Sequence, residues 1–305
     1  MLGGRPVKPA PFDYAAPATR QEVLEALAVA PDGTRVLAGG QSLVLEMNQR
    51  AARPHRLVDI NNVADFDRLE VDRAEQDGGW LRVGALVRHR AFEQPVESGP
   101  LGRLLARTAH FIAHPPVRSR GTLLGSLAYA HPTGEWPTLA VTLGAELVLA
   151  SADGTRTLDA ESFLIGPFTT ALRPGELLEE ARFPLLRPTT GTAFVELRRT
   201  AASFAHLSAA TALSVEDGIV VDVRLGMAGI APQPVRARDA EHRLVGRPPT
   251  DSVIAEAATV AAAGVTDPPP DPHSGSAYRR HAATVLAERA LVKARQDISE
   301  EVERP

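Results

Sequence analysis

Val36-Leu37-Ala38-Gly39-Gly40-Gln41-Ser42-Leu43 is the stretch on which the reading of this chain turns. An apolar strand over 34–38 runs directly into a glycine pair, followed by an amide, a hydroxyl and a new apolar run. Glycines at such a corner permit φ > 0 and leave no Cβ between backbone and ligand. Successive N–H groups can then point into one concavity, a nest for a phosphate or diphosphate. A plain strand-to-helix turn accounts for the same residues, and this corner alone does not choose between the two. A second stretch, Arg118-Ser119-Arg120-Gly121-Thr122-Leu123-Leu124-Gly125-Ser126-Leu127, repeats the small residues and hydroxyls behind its arginines. Together the corners predict a diphosphate held from two sides.

Outward from the first corner, Thr19 and Glu22 have the spacing of a capping box, with Val23, Leu24 and Leu27 on one helical face. A strand over 56–60 completes a small α/β unit of about residues 1–60. Beyond it, the pattern predicts a strand over 80–87 and a helix carrying Leu101, Leu104, Leu105, Thr108 and Ile112, ended by Pro115-Pro116. A short helix over 137–143 and a hairpin turning at Asp153-Gly154 follow. This middle unit, about 61–183, carries the second corner. A Pro- and Thr-rich linker over 184–192 leads to strands over 194–198, 207–215 and 219–225, the last two joined at Asp217-Gly218. Helices are expected over 235–245, 252–263 and 276–294, with an exposed loop over 265–276 and a frayed tail over 299–305. Strands followed by helices point to an α+β unit. The domains are thus 1–183 and 190–295.

Composition excludes several classes. The net charge of −4 gives no electrostatic footprint for nucleic acid. No apolar run approaches the roughly 20 residues of a membrane span. The first residues, Met1-Leu2-Gly3-Gly4-Arg5-Pro6, lack the apolar core of a secretory signal, so a cytoplasmic location is expected. With no cysteine, the chain supplies no thiolate to an iron–sulfur cluster, a zinc site or a catalytic nucleophile. P-loop, Rossmann, zinc-protease and nucleophile-elbow motifs are missing. His110 and His114 have the spacing of metal ligands on a helix but lack a third ligand nearby, so no metal is assigned. Glu135 can accept hydrogen bonds from sugar-like hydroxyls, or simply sit at a helix N-terminus where the dipole favours a carboxylate. His131 is either a donor to a ligand or an ordinary loop residue. Arg118 and Arg120 either balance a diphosphate or form surface pairs. No catalytic residue is assigned.

With both corners in view, the chain resembles the FAD-binding medium subunits of molybdenum hydroxylases. These are the medium subunits of carbon monoxide dehydrogenase, akin to the flavin segment of xanthine dehydrogenase. The likeness runs over nearly the whole chain. It takes in Phe12-Asp13-Tyr14 with Pro17, the AGGQSL corner, and IAHPPVRSRGTLLGSLAYAHPTGEWP over 112–137. It continues through Leu143-Gly144-Ala145-Glu146, Phe168, Pro174-Gly175-Glu176-Leu177, Gly229-Ile230-Ala231-Pro232, Pro234-Val235-Arg236-Ala237 and Tyr278-Arg279.

The resemblance implies an α+β fold: a two-part FAD-binding domain of the vanillyl-alcohol-oxidase (PCMH) type, then a smaller domain with a three-stranded sheet and helices. It places Val36, Leu37, Ala38, Gly39, Gly40, Gln41, Ser42 and Leu43 on one side of the diphosphate, and Thr122, Gly125 and Ser126 on the other. Ile112, Ala113, His114 and Val117 would lie along the cofactor and Glu135 near its ribityl chain. Leu172 would make an apolar contact, and Arg198 and Phe204 would lie near the isoalloxazine. Departures from the family pattern are Leu124 and Ser126 within the usual Thr-Ile-Gly-Gly-Asn, His131 for an aspartate before Pro132, and Ser203 for an acidic residue. Leu124 raises the expectation of a narrowed approach to the diphosphate.

The implied role is electron transfer within a complex. A molybdenum cofactor would sit on a large partner subunit and [2Fe–2S] clusters on a small one, in a dimer of heterotrimers. Two other readings stay open: a flavin-free scaffold or nucleotide-binding subunit, and a free-standing FAD oxidoreductase.

Overall fold

The protein is described by a computed structural model over residues 8–73, 78–263 and 275–302. In chain order the first elements are β1 (Asp13–Ala15), α1 (Arg20–Val29), β2 (Thr34–Leu37), α2 (Leu43–Asn48) and β3 (Arg56–Asp59). The strands form a parallel sheet in the order β1-β3-β2, which requires crossover connections such as α1. The capping box forms: Glu22 N–H donates to Thr19 Oγ1 at 3.2 Å, and Thr19 N–H donates to the Glu22 carboxylate at 3.3 Å. Val23, Leu24, Ala26 and Leu27 then bury one face of α1.

The middle unit contains β4 (Leu69–Asp72), β5 (Trp80–Gly84), α3 (Pro100–Ala109), α4 (Pro115–Arg120), α5 (Leu123–Tyr129) and α6 (Glu135–Leu143). It continues with β6 (Glu146–Ser151), β7 (Gly154–Asp159), α7 (Ala160–Phe163), β8 (Leu164–Gly166), β9 (Thr169–Thr170) and β10 (Leu177–Pro184). Its main sheet is antiparallel, in the order β4-β5-β10-β6-β7. β5 stops short of the expected residue 87 because Val87 N–H folds back onto Gly84 O at 3.2 Å. Pro115-Pro116 opens α4 instead of ending the preceding helix, since a proline ring suits the first helical turn, where no N–H is needed. The earlier helix has already closed at Ala109.

The last unit holds β11 (Thr190–Leu197), β12 (Leu207–Glu216), β13 (Ile219–Ala228), β14 (Val235–Arg236), α8 (Arg238–Leu244), α9 (Asp251–Ala263) and α10 (Ser276–Val302). Asp217 and Gly218, with φ of 50° and 77°, make the tight turn between β12 and β13. The short β14 adds a fourth, edge strand to the long three. Thr190 and Thr192 belong to β11, so the connection from β10 shrinks to 185–189. The expected loop over 265–276 lies almost wholly outside the described residues. Helix α10 carries through the start of the tail, whose last residues, 303–305, also lie outside the described set.

β11 shows how the halves are joined. Ala193, Val195 and Leu197 pack with the C-terminal core, whereas Phe194 joins the N-terminal core. One sheet face therefore receives α3 and α6, and the other receives α10. Gly191 leaves no space for a Cβ against Ala294 O of α10, and Gly226 none against the Thr142 hydroxyl of α6. Asp297 fastens the junction: it accepts from Arg107 of α3 and from Thr192 N–H at 2.9 Å. Burial alone would push its carboxyl up, but these donors hold it below the ordinary carboxylate range.

Asp297→Ala is expected to lower the unfolding free energy by about 2 kcal/mol, less than a wholly buried pair costs because the Arg107 side chain is 43% exposed. Urea denaturation measures this. The gap between wild type and variant should narrow as pH falls below about 4, because a depressed carboxyl stabilises above its unfolded pKa and loses that contribution as pH falls through its folded one.

Candidate functional site

The two glycine corners meet. A Cβ on Gly39 would strike the Arg120 carbonyl oxygen and come within 2.7 Å of Gly121 Cα, so the first corner closes only on a bare backbone. The contact is tied from below by residues the sequence reading did not single out. Asn61 Nδ2 donates to Ala38 O at 2.9 Å, and Arg88 Nη2 donates to Asn61 Oδ1 at 2.5 Å. Arg88 also donates to the Arg120 carbonyl oxygen. Behind Gly121 lies His89, whose Nδ1 accepts from Trp136 Nε1 at 2.9 Å. Burial, helped by Arg118 and Arg88, pushes His89 down to about 3, so the ring is neutral and available as an acceptor. One sequence signal pointed this way. Asn61 is a polar residue just past the predicted strand over 56–60, at the end of a parallel strand, where ligand sites of open α/β sheets gather.

At the first corner Gly40 adopts φ of +72°. Val44 N–H turns back to Gly40 O and Glu46 N–H to Ser42 O, starting α2. Among the hydrogen bonds of the described residues, none is donated by the backbone N–H groups of Gly39, Gly40, Gln41, Ser42 or Leu43. The second corner is more self-contained. Thr122 is buried and its hydroxyl accepts from Gly125 N–H at 2.9 Å, Leu123 N–H donates to Val87 O, and Ser126 N–H to Thr122 O. Gly125 is exposed and Ser126 half-buried at its rim. Leu124 does not narrow the approach: it is 2% exposed and points into the N-terminal core. A leucine suits that position because its side chain is spent on packing, not on the open side of the corner.

The other expected residues are distributed around this contact. Ile112 is buried, Ala113 takes a positive φ of 40°, and His114 caps α4 at its exposed start, with Val117 half-buried on that helix. Arg118 faces inward: it donates to Glu93 at 2.6 Å and to the carbonyl oxygens of Ile112 and Ala113 at 3.0 and 3.2 Å. It therefore holds the 112–113 bend. His110 bonds Ala106 O through Nδ1 at 2.8 Å and closes α3, so it does not share a helix with His114. Arg198 donates to Phe111 O at 3.0 Å and lies 5.0 Å above the Phe111 ring. Glu135 opens α6 with 5% exposure, and burial against the pull of Arg198 pushes its carboxyl up to about 7. Leu172 is half-buried against the N-terminal core and is not hydrogen-bonded to either corner.

Phe204 is engaged by a neighbour. Its ring stacks on His131 with centroids 3.6 Å apart and planes 7° from parallel. Burial pushes His131 down to about 4, so a neutral imidazole makes this stack. Tyr129 and Phe168 close the aromatic group around His131, and the Tyr129 hydroxyl reaches Glu46 of α2. Tyr129 thus ties the aromatic group to α2, and Phe204 ties it to the C-terminal half.

Residues 10–186 match the family of the FAD binding domain in molybdopterin dehydrogenase, and residues 192–294 match the CO dehydrogenase flavoprotein C-terminal domain. The chain is 33% identical to the 6-hydroxypseudooxynicotine dehydrogenase complex subunit alpha of Paenarthrobacter nicotinovorans, over 94% of this chain and 96% of that one. It is 31% identical to the carbon monoxide dehydrogenase medium chain of Hydrogenophaga pseudoflava, over 93% and 96%. Among solved structures, carbon monoxide dehydrogenase from Hydrogenophaga pseudoflava superposes with a TM-score of 0.88 over 95% of this chain and 99% of that one, at 31% identity. Quinoline 2-oxidoreductase from Pseudomonas putida 86 gives 0.85 over 95% and 98%, at 34% identity. An α+β chain whose glycine corners meet, and which matches both halves in order, belongs to the family of FAD-binding medium subunits of molybdenum hydroxylases, as an oxidoreductase subunit.

Proposed function

We propose that this chain is the electron-transfer subunit of a molybdenum hydroxylase complex, carrying FAD between its halves and passing electrons from a partner's iron–sulfur clusters to a final acceptor. The observation that carries the reading is the run of N–H groups from Gly39 to Leu43 with no protein acceptor among the described residues, at a corner bent by the left-handed Gly40. Consecutive backbone donors of this kind are what an anionic diphosphate requires, and they are costly to leave unmade away from water. The fit is asymmetric. Gly39 to Leu43 would supply the donors, while Gly125 and Ser126 would offer a bare surface and a hydroxyl. Thr122 would act mainly by shaping the second corner through its cap.

Bound FAD supplies a carrier that accepts or releases electrons singly or in pairs. The residues of the chain do the rest by position. Ile112, Ala113, His114 and Val117 would flank the cofactor along the bend that Arg118 holds. Glu135 would receive hydroxyl donors at the ribityl chain. Arg198 would place a fixed positive charge near the redox ring, and the neutral His131–Phe204 stack would give that ring an aromatic neighbour. Leu172 would add an apolar contact. The absence of cysteine supports placing [2Fe–2S] clusters on a small partner subunit, and the molybdenum cofactor belongs by the same reading on a large one. The names of the relatives, a complex subunit alpha and a medium chain, support a multi-subunit assembly, and a dimer of heterotrimers is the arrangement proposed.

Co-expression with the neighbouring large and small subunits should yield an assembly containing FAD, molybdenum and iron. A chain that purifies alone, with flavin but without partners, would favour a free-standing oxidoreductase. Flavin absorbance of the isolated chain separates both from a scaffold. Gly39→Ala is expected to force the corners apart and weaken FAD binding on the order of tenfold or more, read by flavin fluorescence titration. Leu124→Ala should instead cost about 2–4 kcal/mol of stability through a core cavity and leave the FAD content per folded chain unchanged.

A further inference from the structure

The seam between the two halves contains a carboxyl, Glu196, that the cofactor reading does not use. Side chains alternate along β11. Ala193, Val195 and Leu197 enter the C-terminal core, and Phe194 and Arg198 meet Phe111 on the opposite face. Glu196 falls on that second face. Its side chain has 0% exposure, and neither carboxylate oxygen has a hydrogen-bond partner. Directly across the strand pair stands Ser208, also 0% exposed, whose hydroxyl is likewise without a partner. Residues so paired have Cβ atoms about 4.5–5.5 Å apart.

The charged surroundings do not compensate an ionised Glu196. Arg198 Nη1 stands 3.9 Å from Glu196 Oε2, and that guanidinium is committed to Phe111 O. Glu135, at the start of α6, is 5% exposed and repels a second negative charge. His206 leads into β12 beside Arg198, with its N–H on Leu197 O. On α3, Arg103 and Arg107 turn towards Asp297 at the other end of β11. A carboxylate with bare oxygens in such a place is costly, and proteins avoid the cost by keeping the proton.

We propose that Glu196 is a buried proton-binding site at the seam and holds its proton at neutral pH. A protonated carboxyl is neutral, so it avoids the desolvation cost that an unpartnered buried carboxylate would carry. Burial first, and the charge of Glu135 second, push Glu196 up to about 8; burial pushes Glu135 up to about 7. The inference does not rest on the cofactor reading, and its test needs no flavin.

The sign of the pH effect follows. An unfolded glutamate loses its proton near pH 4.3, whereas the folded pair keeps one until about 7 to 8. Between these values the folded chain binds more protons, so stability falls as pH rises from about 5 to about 8 and is level with respect to this pair above that.

Infrared spectra of the full-length chain, titrated from pH 5 to 9, test the site. Wild type should keep a protonated-carboxyl C=O band at pH 7, equivalent to about one carboxyl per chain, because a coupled pair releases its protons in separate steps. The band should fade towards pH 9 and fall by more than half in Glu196→Gln. The Tm of Glu196→Gln should also decline less than that of wild type between pH 5 and 8. No protonated-carboxyl band at pH 7 in wild type overturns the proposal whatever the variants do. So does a band unchanged in Glu196→Gln, or an equal pH slope of Tm in Glu196→Gln and wild type.

Discussion

The contact of Gly39 with the Arg120–Gly121 backbone is the constraint on which the rest of the site depends. It brings together segments some eighty residues apart in sequence, and it tolerates no side chain at its centre. A packed contact alone would leave the corner carbonyl oxygens short of donors. Arg88 and Asn61 supply them, with Arg88 reaching the Arg120 carbonyl and Asn61 the Ala38 carbonyl. Satisfying the carbonyls from beneath leaves the N–H groups of the first corner turned elsewhere, which makes the corner a donor surface and not merely a turn.

A second constraint comes from β11, whose two faces serve different cores. The strand is short of space on both sides, as Gly191 against Ala294 O shows. Charged groups on it must therefore find partners across the junction. Asp297, Arg107 and Thr192 achieve this at one end. At the other, Arg198 reaches Phe111, while Glu196 and Ser208 remain without donors. The same seam thus combines rigid fastening with a group whose charge state matters.

Much of this was legible from residues. The capping box at Thr19 and Glu22, the Asp217-Gly218 turn and the glycine corners are local signals, each depending on residues a few places apart, and each appears where its pattern lies. Pro115-Pro116 was misleading because proline both follows helices and opens them, and the sequence does not say which. Leu124 was misread for a different reason: its pattern shows that it departs from a glycine, not which way a leucine at α5 points. For Arg118 the sequence left open a diphosphate counter-charge or a surface pair, and the side chain is occupied by Glu93 and the 112–113 carbonyls.

By itself the sequence determined the main helices and hairpins, the two corners and the family, because periodicity, turn chemistry and ordered motifs are carried by neighbouring residues. Only the tertiary structure decided which backbone donors remain open, that Asn61, Arg88 and His89 support the corners, and that Glu196 lies bare beside Glu135. The physical reason is that hydrogen-bond satisfaction and desolvation depend on what lies opposite a group in space, and those partners come from segments far along the chain.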